Sequence, residues 1–176
     1  RMAVKIVRVL NTNAVVSSDQ EGRELIITGA GIGFKKKKGE NLDEALADKT
    51  YYLESVDDSR RLQEVVKEIS EEYLEIVSRI VKTAREEGLK VRDSLYVTLT
   101  DHINSAVDRY RENIALKNMM KLEIRKFYPK EYEIGLRAVQ WIQEQNDENL
   151  GEDEAAFIAM HIVSAELGSG SNVDVN

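Results

Sequence analysis

The chain changes its hydrophobic period once. Ahead of residue 55 the apolar residues come in short β-branched runs separated by turn residues. Beyond residue 59 they recur every three or four positions. Leu62, Val65, Val66, Ile69, Tyr73, Ile76, Val77, Ile80, Val81 and Ala84 hold that spacing over several turns. A pattern of this kind admits a small sheet unit followed by a helical body, and no internal repeat accompanies it. Two domains joined near residues 55–59 fit a chain of 176 residues.

Residues 4–10, 14–17, 24–28 and 49–53 read as four strands, being short and rich in Val, Ile and Thr. Asn11-Thr12-Asn13 interrupts the first pair as a turn. Asp19-Gln20-Glu21-Gly22 is a hairpin loop ending on glycine, where a positive φ is often required. A unit of roughly 55 residues is at the edge of independent stability, so pairing of two copies is expected. In the body, one long helix is expected to run from about residue 60 until Gly88 closes it. Asp93 or Ser94 can cap a second helix, which passes through His102 to about Tyr110. A third, carrying Leu116, Met119, Met120 and Ile124, must stop before Pro129. A fourth covers about 131–145. Glu152, Asp153 and Glu154 then place acids at the positive end of a fifth, which carries His161. The expected fold class is α+β: a four-stranded antiparallel sheet domain (1–54), a linker (55–59), a five-helix bundle (60–167) and a tail (168–176) reading as a linker or disordered end. Arg1 ahead of Met2 reads as an appended residue.

Composition removes several classes of function. There are no cysteines, so disulfides and thiolate metal sites are out. No apolar run approaches the roughly 20 residues needed to span a bilayer. A cytoplasmic protein without membrane insertion, metal or cofactor is expected. The net charge of −7 is unevenly spread. Residues 1–40 carry eight bases (Arg1, Lys5, Arg8, Arg23, Lys35, Lys36, Lys37, Lys38) against four acids, a net +4. The remainder carries 17 bases and 28 acids, a net −11. A basic head on an acidic body suggests that the head meets a polyanion, although a lysine run also occurs as a merely solvated surface.

The head holds residues suited to an unpaired nucleic acid. Asn11 and Asn13 each offer a donor and an acceptor, as a base edge requires. Gly29-Ala30-Gly31-Ile32-Gly33 lets backbone amides approach closely. Phe34 can stack on a base, and Arg8 and the lysines can meet phosphates. Each has an ordinary counterpart: turn asparagines, a glycine bulge, a core phenylalanine. The body holds the only two histidines, His102 after Asp101 and His161 in Phe157-Ile158-Ala159-Met160-His161. Imidazole changes charge near neutral pH, and its neutral nitrogen is a nucleophile. Two core histidines with both ring nitrogens satisfied is the alternative reading.

Lys5-Ile6-Val7-Arg8-Val9-Leu10-Asn11-Thr12-Asn13 and Gly29-Ala30-Gly31-Ile32-Gly33-Phe34-Lys35-Lys36 resemble the co-antiterminator RNA-binding domain of BglG/SacY-type bacterial transcription antiterminators. Thr100-Asp101-His102-Ile103, Tyr128-Pro129-Lys130-Glu131-Tyr132-Glu133-Ile134-Gly135 and Glu152-Asp153-Glu154 through His161-Ile162 resemble the first phosphotransferase-system regulation domain of the same proteins. The resemblance implies a non-enzymatic regulator whose head, as a homodimer, binds an antiterminator RNA hairpin and blocks terminator formation in sugar-utilisation operons. It implies a body phosphorylated on His102 and His161 by phosphotransferase-system proteins, a sugar-specific enzyme II or the phosphocarrier HPr, with Asp101 supporting the first site. Arg8, Asn11, Asn13, Gly29, Ala30, Gly31 and Phe34 match the family's RNA-contacting or RNA-shaping positions. Ala30 stands where some relatives carry Arg or Lys, and no second regulation domain follows, so the chain is expected to be part of a longer protein. A competing reading is a helical sensor, or a phosphotransfer enzyme using Asp101 and His102, without RNA binding.

Overall fold

In the computed structural model, which describes residues 4–166, the described residues form two compact units that divide between Glu71 and Glu72. The expected tail at 168–176 lies outside the described residues. In the first unit β1 (Arg8–Asn11), β2 (Ala14–Ser18), β3 (Glu24–Thr28) and β4 (Lys49–Tyr51) make one antiparallel sheet in chain order. The register pairs Arg8 with Val16, Val16 with Ile26, and Ile26 with Tyr51, so these four share one face. Val9, Val15 and Ile27 share the other, where Ile6, Ile32 and Leu42 complete a dry cluster. A bulge between Val9 and Asn11 ends the β1–β2 pairing at the turn.

The face bearing Arg8 is covered by α1 (Val56–Glu68), which buries Leu62 and Val66. Residues 55–59, expected as a linker, are the cap and first turn of this helix. The reason is local: the Ser55 hydroxyl accepts from the Asp58 amide at 3.1 Å, and Asp57 and Asp58 sit at the positive helix end.

The long helix expected beyond residue 60 is two helices, α1 and α2 (Glu71–Glu86). Ile69 turns extended, at φ −129 and ψ 146, while the apolar spacing runs on unbroken through it. Ser70 followed by Glu71 and Glu72 is the start signal that the continuous spacing hides. The second unit continues with α3 (Ser94–Arg111), α4 (Lys121–Phe127), α5 (Pro129–Asn146) and α6 (Glu152–Ala165). The described residues thus carry six α-helices where five were expected, because the first is split in two, and the third expected helix is shortened. Leu116, Met119 and Met120 lie ahead of α4 and are exposed. Asn113 takes a left-handed φ of 59, and the Asn118 side chain accepts from the Met120 amide at 2.8 Å. A local bond of this type competes with helix formation.

The stretch around Pro129 explains itself in the packing. Pro129 opens α5, where a missing N–H costs nothing. Glu131 is buried against Glu166, whose carboxyl is pushed up to about 8, first by burial and then by its hydrogen bond with Glu131. A Cβ on Gly135 would lie 2.2 Å from the Ala155 carbonyl oxygen, so only glycine lets α5 and α6 approach this closely. Among the described residues no helix is long and apolar enough to cross a membrane.

Candidate functional sites

In the head, the Asn11–Asn13 turn and the glycine loop are knitted together. Asn11 Oδ1 accepts from the Asn13 amide at 2.7 Å, and Asn13 Oδ1 accepts from the Gly31 amide at 2.8 Å. The Asn13 and Thr12 carbonyls take the Gly29 and Gly33 amides at 3.0 and 2.8 Å. Gly29 is buried against the Leu46 carbonyl, 1.8 Å from where a Cβ would stand, and Gly31 has φ +78. Both glycines are therefore demanded by the loop's own shape. Ala30 at its tip is exposed, and Phe34, read as either a stacking surface or a core residue, is 59% exposed with the Lys35 ammonium 5.4 Å from its ring centre.

Two of the sequence-selected residues turn toward α1 instead. Asn11 Nδ2 donates to the Val66 carbonyl at 2.9 Å. Arg8 donates to Gln63 at 2.6 Å and to Glu24 at 3.2 and 3.4 Å. Arg60 and Gln63 bond the same Glu24 carboxylate. Burial alone would raise that carboxyl, but the Arg8 and Gln63 hydrogen bonds and the two guanidinium groups outweigh it and hold it near about 2. The structure thus brings Asn13, the glycine loop and Phe34 into one surface, and places Arg8 and Asn11 in a partly buried polar network with α1.

In the body, α3 packs on α6 and brings the two histidines together, with ring centres 4.8 Å apart. Glu154 and His161 stand seven residues apart on α6, and His102 and Arg109 seven apart on α3, so each pair shares a helix face. His102 Nε2 is hydrogen-bonded to Glu154 Oε1, and the Arg109 guanidinium lies 3.6 Å from Glu154 Oε2. Glu154 is 8% exposed and the His102 side chain 15%. Asp101 is exposed and makes no hydrogen bond to either ring among the described residues. The carboxylate that engages His102 is Glu154, which sequence reasoning treated only as a helix-start acid. The i, i+7 spacing of Glu154 and His161 was the available signal.

The alternative of two fully satisfied core histidines does not describe this site. One nitrogen of His102 is bonded, and among the described residues neither nitrogen of His161 is. His161 borders a shallow cleft with Phe157, Met160 and Ser164. Burial, then the charge of His102, lower its pKa from 6.5 to about 4. The folded form therefore favours neutral His161. Its contribution to stability is complete above pH 6.5 and is lost as pH falls from there toward 4. Chemical denaturation at pH 7 and pH 4.5 checks this: His161→Gln should shrink the stability difference between the two, and an unchanged difference would refute the assignment.

The chain is similar to known proteins. The PRD domain profile matches residues 74–165, and the CAT RNA binding domain profile matches residues 4–60. The chain is 38% identical over 167 residues to the beta-glucoside operon antiterminator of Dickeya chrysanthemi, covering 94% of this chain and 59% of that one. It is 38% identical over 165 residues to the transcription antiterminator LicT of Bacillus subtilis (strain 168), covering 93% and 60%. The chain thus spans about three-fifths of the length of these relatives. The crystal structure of GlcT CAT-PRDI superposes with a TM-score of 0.74 at 27% identity, over 95% of this chain and 100% of that one. The chain shares its two-domain α+β fold class with that structure. The chain belongs to the PRD domain family, with a CAT RNA binding domain ahead of the PRD domain.

Proposed function

We propose that the chain is the RNA-binding and first regulatory part of a transcription antiterminator acting in the bacterial cytoplasm. Two heads bind one RNA hairpin and prevent a terminator from forming ahead of sugar-utilisation genes. The body sets that activity by accepting phosphoryl groups on His102 and His161 from phosphotransferase-system proteins. The observation that carries the RNA half is Phe34: a phenylalanine left 59% exposed beside a glycine loop and a lysine run is a stacking platform with phosphate-binding charge around it. The names of the relatives, antiterminators of a beta-glucoside operon and LicT, support the same reading. They are named as regulators rather than enzymes, and the Asp101–His102 phosphotransfer enzyme finds little support in an exposed Asp101 that makes no hydrogen bond to the ring among the described residues.

The test is binding of the whole chain to a hairpin with two internal loops, followed by fluorescence anisotropy. Phe34→Ala should weaken binding by about 1–3 kcal/mol if the ring stacks on one base. Affinity should fall steeply as salt rises, because lysine–phosphate contacts release counterions. Equal affinity for the Phe34→Ala chain would remove this surface from the RNA interface. Dimerisation of the body has its own support in the exposed Met119, Met120, Leu122, Phe127 and Met160, an apolar surface that reaches the cleft beside His161.

A further inference from the structure

His102 presents its two ring nitrogens to different surroundings. Nε2 meets Glu154, whose other oxygen is ion-paired with Arg109. Among the described residues nothing bonds to Nδ1, it is not one of the buried atoms left without a partner, and the His102 side chain keeps 15% of its surface exposed. A carboxylate only accepts hydrogen bonds, so the nitrogen facing it carries the proton. In the neutral ring the lone pair then sits on the other nitrogen. This is the arrangement by which a buried carboxylate sets a histidine's tautomer in catalytic and metal sites.

We propose that Glu154, held by Arg109, is a positioning residue that keeps the neutral His102 ring protonated on Nε2 and directs the phosphoryl group to Nδ1. The inference rests on the reading that His102 is a phosphoryl acceptor and names the atom that accepts. In the transfer, the Nδ1 lone pair forms the new N–P bond while the P–N bond of a phosphohistidine donor breaks. The donor ring, protonated on its other nitrogen, leaves with that electron pair as a neutral imidazole, and no proton has to move between rings. The His102 ring, phosphorylated on Nδ1 and still protonated on Nε2, becomes cationic, and the Glu154 carboxylate balances it.

Phosphorylation on Nε2 runs against every part of this geometry. It would displace the Glu154 contact and set a phosphoryl dianion against a carboxylate that is 8% exposed, where among the described residues Arg109 is the one Lys or Arg ion-paired. Like charges at that separation in a poorly solvated place repel strongly. His161, whose ring is 4.8 Å away, is neutral near pH 7 and offers no compensating charge.

The test uses the whole chain labelled with 15N-histidine. Long-range 15N–1H correlation spectra at pH 8, assigned with the His161→Gln chain, report the His102 tautomer directly. The Nε2–H form is expected to dominate. The chain is then treated with phosphoramidate, and 31P and 15N shifts identify the phosphohistidine isomer at His102, expected to be the Nδ1 form. In Glu154→Gln the single tautomer should be lost and phosphoryl uptake at His102 should slow by about 10- to 100-fold. A wild-type ring protonated on Nδ1, or a phosphoryl group on Nε2, overturns the proposal even if the Glu154 variant fails to fold. No uptake at His102 in the wild-type chain, with the Nε2–H tautomer present, instead overturns the acceptor reading on which the proposal rests.

Discussion

Gly135→Ala is expected to lower the unfolding midpoint of the chain by several degrees, although alanine is the better helix former. Two effects oppose each other. Replacing a mid-helix glycine should stabilise α5 by roughly 0.5–1 kcal/mol. Against this, the new Cβ would stand 2.2 Å from the Ala155 carbonyl oxygen and 3.0 Å from its carbon. Overpacking of this kind costs about 1–3 kcal/mol or more, and a backbone carbonyl inside a helix cannot rotate aside as a side chain can. A net loss of about 2 kcal/mol corresponds to a fall of roughly 4–8 °C for a chain of this size. Relief requires α5 and α6 to separate. Ala155 follows Glu154, so that movement also draws Glu154 away from His102. Calorimetry should show the lower midpoint, and the His102 ring signals should shift. A midpoint equal to or above wild type would mean that the two helices are not as closely packed as described.

His102→Asp should act more strongly. It replaces the partner of Glu154 by a second carboxylate, so two acids face each other where, among the described residues, Arg109 is the one Lys or Arg ion-paired with Glu154. Leaving an uncompensated charge in so poorly solvated a place costs about 3–5 kcal/mol. The loss should be largest above pH 6 and should shrink toward pH 4.5, because two adjacent carboxyl groups can share one proton. His102→Ala leaves Glu154 with Arg109 and adds no charge, so it should cost less at neutral pH and show no such recovery in acid. The aspartate also imitates, with less charge and a shorter reach, a phosphoryl group that brings roughly −1.5 to −2 on the serine scale. If the body dimerises around the histidines, each charge is present twice about one axis, and the dimer should loosen. Binding of one hairpin by two heads would then lose its multivalent gain. Sedimentation and RNA titration of both variants separate the outcomes. An Asp chain with wild-type dimerisation and RNA affinity would end the case for His102 as the switch.

Much of this protein can be read from the order of its residues. The change of hydrophobic period near residue 55 separates sheet from helices, because a strand alternates every two residues and a helix every three or four. Turn and loop chemistry is equally local: Gly22 and Gly88 take positive φ at the predicted turn and helix end, and Pro129 separates α4 from α5. The histidine pair was visible as two ionisable residues in otherwise apolar segments.

What the residue order left open is decided by groups far apart in the chain. The break at Ile69 keeps the apolar spacing in phase, so periodicity carries no sign of it. The glycines of the Gly29–Gly33 loop suit a ligand's approach equally well in sequence, yet Gly29 and Gly33 make room for the Leu46 and Asn11 carbonyls. Arg8 and Asn11 look like free readers until α1 supplies Gln63 and the Val66 carbonyl as their partners. Glu154 lies 52 residues from His102 in the chain and meets it because α6 packs on α3. Spacing along one helix tells which residues share a face. Only the packing of two helices tells which face meets which, and with it which nitrogen of His102 meets Glu154.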